Sequence, residues 1–160
     1  MHSKIAKEAP LSEVTLRKYE RPANLQGRAL VRKFCLSLGL LQPGDSRDVI
    51  VDVFHAFLLY KQLDPITLVQ HVTLLREQAN LSKTGIAASN IRRQLKRLKQ
   101  HYLIERVGNI YRFTENAHLT QLFEEKIREY HLFTIAERVK EYCQALDKEF
   151  KQQNSTSVSL

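Results

Sequence analysis

The chain has 160 residues, of which 43% are hydrophobic and 26% are charged, and its formal net charge is +8. This composition is ordinary for a globular protein with one core, and it argues against a disordered, collagen-like or repeat sequence. The longest apolar run, 49–60, is shorter than the roughly 20 residues of a membrane span and contains Asp52 and His55. The N-terminus lacks the apolar stretch of a signal peptide, so we expect a soluble, cytoplasmic protein with no membrane partner.

The positive charge is concentrated in one short segment. Residues 83–112 contain eight Lys and Arg side chains and one acidic side chain, which leaves a charge of +7 in this segment. A charge that served only solubility would be spread along the chain, whereas a phosphate-binding surface concentrates it. The segment is therefore the first candidate for a nucleic-acid-binding surface.

The N-terminal part of the sequence predicts an arm followed by one helix. Residues 1–23 are polar, contain two prolines and predict a partly ordered arm. Asn24 is a residue type that caps helices, and the apolar spacing after it predicts a helix over 25–38 that stops at Gly39. This helix and the Pro-Gly turn after it form a predicted N-terminal segment, 24–46.

Two more helices are expected before the basic segment. Asp45 or Ser46 is expected to cap a helix over 47–62, whose apolar residues cover most of its circumference. Such a helix is expected to be central and buried. Asp64 is then expected to cap an amphipathic helix that begins at Pro65, because proline fits the first helical turn.

The basic segment predicts a helix over 87–101. With Ile91 set at zero and a step of 100° per residue, Leu95 and Leu98 fall within about 40° of it and form a narrow apolar stripe. The polar side chains lie on the other sides of the helix. Those expected opposite the stripe are Ser89, Arg93, Lys96, Arg97 and Gln100, and those expected on the flanks are Asn90, Arg92, Gln94 and Lys99.

The sequence after this helix predicts a β-hairpin and then a helical end. Residues 104–113 alternate around a Gly-Asn pair, which is a hairpin signal. No Gly or Pro follows Gly108, so helices are expected over 116–152, with a disordered tail over 153–160. The last predicted helix carries an apolar stripe, which we call the terminal stripe: Ile135, Val139, Tyr142, Leu146 and Phe150.

The order of these elements resembles the winged helix-turn-helix superfamily, in particular MarR-type, PadR-type and TrmB-type regulators. The resemblance covers about 47–115 and rests on Gly85 and Ile86, the apolar spacing through the basic helix, "LIER" and the hairpin. It implies a mainly α fold with a small β-hairpin: a winged helix-turn-helix domain with helical N- and C-terminal extensions. It also implies that helix 87–101 reads the major groove of double-stranded DNA and that 104–113 is the wing.

The sequence departs from the superfamily's pattern in two places. The stretch from Pro65 to Gly85 is longer than usual, so either the helix is extended or the turn carries an insertion. The wing has a two-residue tip, which limits its reach into a minor groove.

Side-chain chemistry suggests how DNA would be contacted. Arginine pairs with guanine and Asn or Gln pairs with adenine, whereas Lys, Ser and Thr mainly hold phosphates. We expect base contacts from the basic helix and phosphate contacts from the turn before it, from the helix and from the wing. The candidate DNA-binding residues are Lys83, Thr84, Ser89, Asn90, Arg92, Arg93, Gln94, Lys96, Arg97, Lys99, Arg106, Asn109 and Arg112.

The expected function is a sequence-specific, homodimeric transcriptional regulator that dimerises through the terminal stripe. An interaction module of a replication, transcription or chromosome-organising complex is the alternative, since winged-helix domains also bind proteins. The basic run could instead be a solvated helix face, and the terminal stripe could pack on its own domain. The sequence offers no catalytic motif and no metal-ligand spacing, so no enzyme activity, cofactor or metal is expected.

Overall fold

The structure is a computed structural model that describes residues 7–157, with side-chain burial described up to Lys151. Residues 1–6 of the predicted arm and 158–160 of the predicted tail lie outside the described residues. Across the described range, none of the helices combines the length and the apolar character that crossing a bilayer would require.

The chain divides into two compact units, and Thr15–Glu124 forms the larger one. It is mainly helical, with a small antiparallel sheet. Its main elements in chain order are α1 (Gly27–Ser37), α2 (Val49–Tyr60), β1 (Gln62–Leu63), α3 (Pro65–Gln78), α4 (Ala88–Gln100), β2 (Ile104–Val107), β3 (Ile110–Phe113) and the short α5 (Leu119–Leu122).

Helix α2 is the central helix of this unit, as the sequence predicts. Its side chains are buried from Val49 through Phe54, and α1, α3 and α4 pack around it. The ring of Phe54 stacks on Phe34 of α1 at 5.1 Å between centroids and meets the edge of Phe113 of β3 at 5.8 Å. These aromatic contacts join the helices to the sheet, since offset and edge-to-face ring pairs add to the burial of apolar area.

The predicted start of α3 is confirmed. The carboxylate of Asp64 accepts a hydrogen bond from the backbone N–H of Thr67 at 2.9 Å, and Pro65 occupies the first turn. α3 is 14 residues long, and the turn to α4 occupies 79–87. The long spacing to Gly85 therefore comes from an extended helix together with a longer turn.

The predicted caps of α1 and α2 are wrong. Asn24 belongs to a short 3-10 turn, and α1 begins only after Gln26. At the start of α2 the carboxylate of Asp45 accepts a hydrogen bond from the backbone N–H of Arg47 at 2.9 Å, which closes a turn ahead of the helix. Asp48 occupies the cap position but makes no capping bond, because its carboxylate is held by arginines.

These arginines belong to a buried charge network that joins α1, α2 and α3. Asp52 is fully buried, and Asp48 and Arg76 are nearly so. The Nη1 atom of Arg76 contacts both carboxylates: it lies 3.0 Å from Asp48 Oδ1 and 2.7 Å from Asp52 Oδ2. Arg28 of α1 reaches both carboxylates, at 2.9 and 3.0 Å, and Arg32 reaches Asp48 at 2.8 Å. Each buried carboxylate therefore has at least two cationic partners, as buried charges require.

Arg76 also fixes the turn before α4. Its Nε donates to the carbonyl oxygen of Ser82 at 2.5 Å, so one side chain connects the charge network to the loop that leads into the basic helix. Burial raises the pKa of Asp48, but hydrogen bonds from Arg28 and Arg76 and their charges outweigh burial and hold that pKa below its usual value.

The predicted hairpin is confirmed, and a third strand accompanies it. β2 and β3 pair antiparallel with Val107 opposite Ile110, so Gly108 and Asn109 form the link. Residues Gln62–Leu63, β1, pair with the other edge of β3 and give the strand order β1-β3-β2. The sequence did not predict β1 because a strand of two residues is too short to show alternating apolar and polar side chains.

The second unit contains residues 7–14 and 125–157. Its helical part comprises a π-helical stretch, Phe123–Leu132, most of which belongs to it, and the α-helix α6 (Phe133–Ser157). The hydroxyl oxygen of Ser12 lies 3.2 Å from Nδ1 of His131, within hydrogen-bond distance. α6 continues to Ser157, past residue 153 where the tail was expected to begin, and no Gly or Pro interrupts the helix there.

Candidate nucleic-acid interface

Helix α4 presents one buried side and three polar sides. Ile91, Leu95 and Leu98 are at most 2% exposed, which confirms the predicted apolar stripe. The packing of this stripe fixes the rotation of the helix about its own axis. The directions of the polar side chains follow from that rotation.

The outermost positions of α4, which we call the outer face, are Ser89, Arg93, Lys96 and Gln100. At 100° per residue they fall within about 60° of arc. All four are exposed, and none makes a side-chain hydrogen bond or ion pair with any residue in the range that the structure describes. Gln100 was not among the DNA-binding candidates from sequence, although its spacing from Lys96 would have supported it.

A different group of side chains, the turn-side flank, is occupied within the protein. Asn90 Nδ2 donates to the carbonyl of Gly85 at 2.6 Å and Gln94 Nε2 donates to Asn90 Oδ1 at 3.2 Å. Arg97 Nη1 donates to Gln94 Oε1 at 3.0 Å, and Arg97 Nη2 donates to the carbonyl of Leu40. Arg97 was expected to project outward, but its side chain is half-buried, because it turns toward the Leu40 carbonyl and donates a hydrogen bond to it.

The wing-side flank of α4 is cationic and open. Arg92 and Lys99 are exposed and make no ion pair among the described residues. With Tyr102 and Tyr111 they line a cleft of about 550 Å³ between α4 and the β2–β3 hairpin. Tyr102 is 41% exposed and adopts a left-handed backbone conformation with φ of 59°, and it is a further surface residue that the sequence did not indicate.

The β2–β3 hairpin, which the sequence predicted to be a wing, offers less free charge than the sequence suggested. Arg112 lies 3.0 Å from Glu105 Oε1 on the neighbouring strand, so its charge is balanced. Arg106 is exposed, and its Nε donates to the carbonyl of Gly108 at 2.9 Å. Asn109 is exposed at the tip. Arg106 and Asn109 are therefore the hairpin groups that a ligand could reach.

The turn before α4 carries two candidate DNA-binding residues, one in an ion pair and one in a hydrogen bond. Lys83 pairs with Glu77 at 2.5 Å, and both side chains are about half exposed. Exposed pairs of this kind contribute little to stability, so Lys83 can exchange this partner for another anion at small cost. Thr84 is exposed, and its hydroxyl accepts a hydrogen bond from Ser82 Oγ at 2.8 Å.

The terminal stripe on α6 presents apolar side chains to the surface. Val139, Tyr142, Leu146 and Phe150 are each more than half exposed, and Ile135 is partly exposed. Four large side chains at helical spacing form an apolar patch, and contiguous patches of this kind commonly mark interaction sites. Cys143 lies at the edge of this patch and is exposed.

Comparison with known proteins finds no counterpart. No protein-family model matches the chain, and neither a curated protein nor a solved structure is similar to it. The strongest chemical feature of the surface is α4: four exposed cations, Arg92, Arg93, Lys96 and Lys99, have no carboxylate partner among the residues that the structure describes.

Proposed function

We propose that Thr15–Glu124 is a winged helix-turn-helix domain that binds double-stranded DNA in a sequence-specific manner, and that the protein is a transcriptional regulator. The order of the elements and the sheet order β1-β3-β2 support this fold, with α4 as the reading helix and β2–β3 as the wing. The observation that carries the proposal is the row of exposed cations on α4 that have no carboxylate partner within residues 7–157.

The shape of the domain suits the major groove. An α-helix with its side chains is about 10–12 Å wide, and the major groove of B-DNA is about 12 Å wide. α4 has 13 residues and projects its outer face away from the buried stripe. Arg93 has the donors to pair with a guanine edge and Gln100 has an amide suited to adenine, while Lys96 suits a phosphate.

The turn-side flank has a different role in this proposal. Asn90, Gln94 and Arg97 were candidates for base contacts, but their hydrogen bonds run within the protein. These bonds tie the start of α4 to the turn before it and the last turn of α4 to the loop after α1, and thereby orient the outer face. Positioning of this kind lowers the entropy cost of binding because fewer side chains are ordered on contact.

Salt dependence gives a quantitative test. If Arg92, Lys96 and Lys99 each neutralise one phosphate while Arg93 contacts a base, the logarithm of the binding constant falls with the logarithm of salt concentration with a slope of about −3 per domain. Fluorescence anisotropy of a labelled duplex at several salt concentrations measures this slope. Competition with unlabelled duplexes of different sequence then measures specificity.

The decisive variant is Arg93→Ala with Lys96→Ala. Both side chains are exposed and unbonded among the described residues, so the fold is retained. The slope should become shallower by about one, because Lys96 is the phosphate contact of the pair, and most of the affinity should be lost. Lys140→Ala with Lys148→Ala removes the same charge from exposed positions on α6 and is the matched control. The proposal is wrong if wild type does not bind duplex at low salt, or if both double variants bind equally.

We further propose that two copies associate through the terminal stripe on α6. A symmetric dimer would place two reading helices on successive major grooves about one helical turn apart, which implies a nearly palindromic site. Leu146→Glu should give the 18.6 kDa mass of one chain in light scattering, whereas wild type should give twice that mass. Gln144→Glu adds the same charge on the opposite side of α6 and should leave the dimer intact. Equal masses for wild type and Leu146→Glu would exclude this interface.

A second candidate function is a protein-protein interaction module of a replication, transcription or chromosome-organising complex. Val107 and Ile110 at the wing tip are 50% and 41% exposed, and apolar tips suit a protein partner better than a phosphate backbone. In that function the charges of α4 make secondary contacts. A wild-type protein that does not bind duplex at low salt would favour this candidate.

A further inference from the structure

A cleft of about 510 Å³ lies on the turn side of α4, between the loop that precedes α2 and the turn that precedes α4. We call it the Arg97 cleft. Its volume falls within the range of about 300–1,000 Å³ that is typical of small-molecule sites. Its cationic lining includes Arg47, Arg93 and Arg97, and its polar lining includes Thr84.

The charge of this lining is unbalanced. Asp45 also faces the cleft, where its Oδ1 lies 3.5 Å from Arg47 Nε, so at most one of the arginines is paired with it. Arg93 makes no ion pair among the described residues. Arg76 lines the cleft as well, but its charge is balanced within the buried network. A net positive cleft remains.

Arg97 is the most informative member of the lining. It is half-buried, and its hydrogen-bond acceptors within the described chain are the Leu40 carbonyl and the Gln94 amide oxygen, both of which are neutral. Burial, with the nearby charge of Arg93, holds the pKa of Arg97 below its ordinary value. A partly desolvated guanidinium beside a second one is stabilised when an anion binds, since hydrogen bonds between two charged groups are the strong ones.

Thr84 adds a neutral donor. Ser82 Oγ donates to Thr84 Oγ1 at 2.8 Å, and the backbone N–H of Thr84 donates back to Ser82 Oγ at 3.1 Å. This arrangement leaves the hydroxyl hydrogen of Thr84 free of any acceptor among the described residues. Guanidinium forks with a hydroxyl donor are the groups that recognise phosphate oxygens.

We infer that the Arg97 cleft binds the phosphate group of a small phosphorylated molecule. A bare phosphate ion would leave much of the cleft empty, so the volume favours a phosphate attached to a larger body. Arg93 belongs both to this cleft and to the outer face of α4. On the proposed function, on which this last step rests, the ligand therefore competes with DNA for Arg93 and lowers affinity for the duplex.

The site is tested first without DNA. Ribose 5-phosphate is titrated into the full chain at constant ionic strength and followed by amide chemical shifts, with ribose as the uncharged control. We expect saturable shifts at Thr84, Gly85 and Asn90 with ribose 5-phosphate and none with ribose. Thr84→Val should weaken binding about tenfold, as loss of a hydrogen bond to a charged group does. Thr120→Val, at an exposed position outside the cleft, should not change it.

The absence of saturable shifts, or equal binding by the Thr84→Val and Thr120→Val variants, overturns the site. Duplex binding distinguishes the source of the phosphate. If ribose 5-phosphate displaces DNA from wild type but not from the Thr84→Val variant, the small molecule is the ligand. If Thr84→Val itself weakens duplex binding, the cleft takes a backbone phosphate of DNA, and the small-molecule assignment is wrong. Failure of duplex binding altogether would refute the proposed function but leave the first titration interpretable.

Discussion

Replacing Arg76 by methionine should destabilise the larger unit by about 3 kcal/mol. Removing one partner of a buried ion pair costs about 3–5 kcal/mol, because a buried charge loses its compensation. The lower end applies here because Asp52 and Asp48 keep Arg28 as a partner. The Ser82 carbonyl also loses its 2.5 Å hydrogen bond from Nε, whereas methionine retains most of the buried apolar volume.

Urea unfolding followed by far-UV circular dichroism measures this effect. With a slope of about 2 kcal/mol/M, a loss of 3 kcal/mol lowers the urea midpoint by about 1.5 M. Arg32→Met is the matched control, since Arg32 is 30% exposed in its side chain and contacts Asp48 alone among the network's carboxylates; it should cost about 1 kcal/mol or less. Equal midpoints for the two variants would refute the idea that burial of Arg76 makes it the main connection of the network.

Two other predictions concern single side chains in the described part of the chain. Asp64→Ala should lower the thermal midpoint of unfolding, because it removes the cap of α3. Hydrogen bonds from Thr67 hold the pKa of Asp64 below its usual value. The stability that the cap contributes is therefore fully present above the ordinary aspartate pKa and is lost as the pH falls through the lower pKa of the folded state. A maleimide at neutral pH should modify one thiol per native chain, that of the exposed Cys143, because burial raises the pKa of Cys35 to about 12. Mass spectrometry should locate the label on Cys143, and equal labelling of Cys35 would contradict the burial of Cys35.

Local patterns predicted the elements that position α4. The apolar circumference of 49–60 predicted the buried α2, and the Gly108-Asn109 pair predicted the hairpin. The spacing of Ile91, Leu95 and Leu98 predicted the buried side of α4 and so which side faces outward. Each of these signals lies within a short window, where periodicity and turn chemistry decide the structure.

The features that sequence did not predict depend on residues far apart in the chain. Arg97 bonds to the carbonyl of Leu40, 57 positions away, and nothing near Arg97 indicates that partner. Asp48 was not recognised as a network member because Arg76 lies 28 positions away. A capping aspartate and a buried, paired aspartate look alike in sequence, and only packing distinguishes them.

If α4 reads DNA as proposed, the separation of its supporting side chains from its outer face allows its specificity to be changed. The side chains that hold the helix in place point toward the core and the turn, whereas Ser89, Arg93, Lys96 and Gln100 carry no hydrogen bond or ion pair in the described part of the fold. Substitutions confined to these four positions act on recognition with little effect on folding. On the proposed function, a library randomised at these positions would contain variants with new DNA specificities, and variants that do not bind duplex should still be folded.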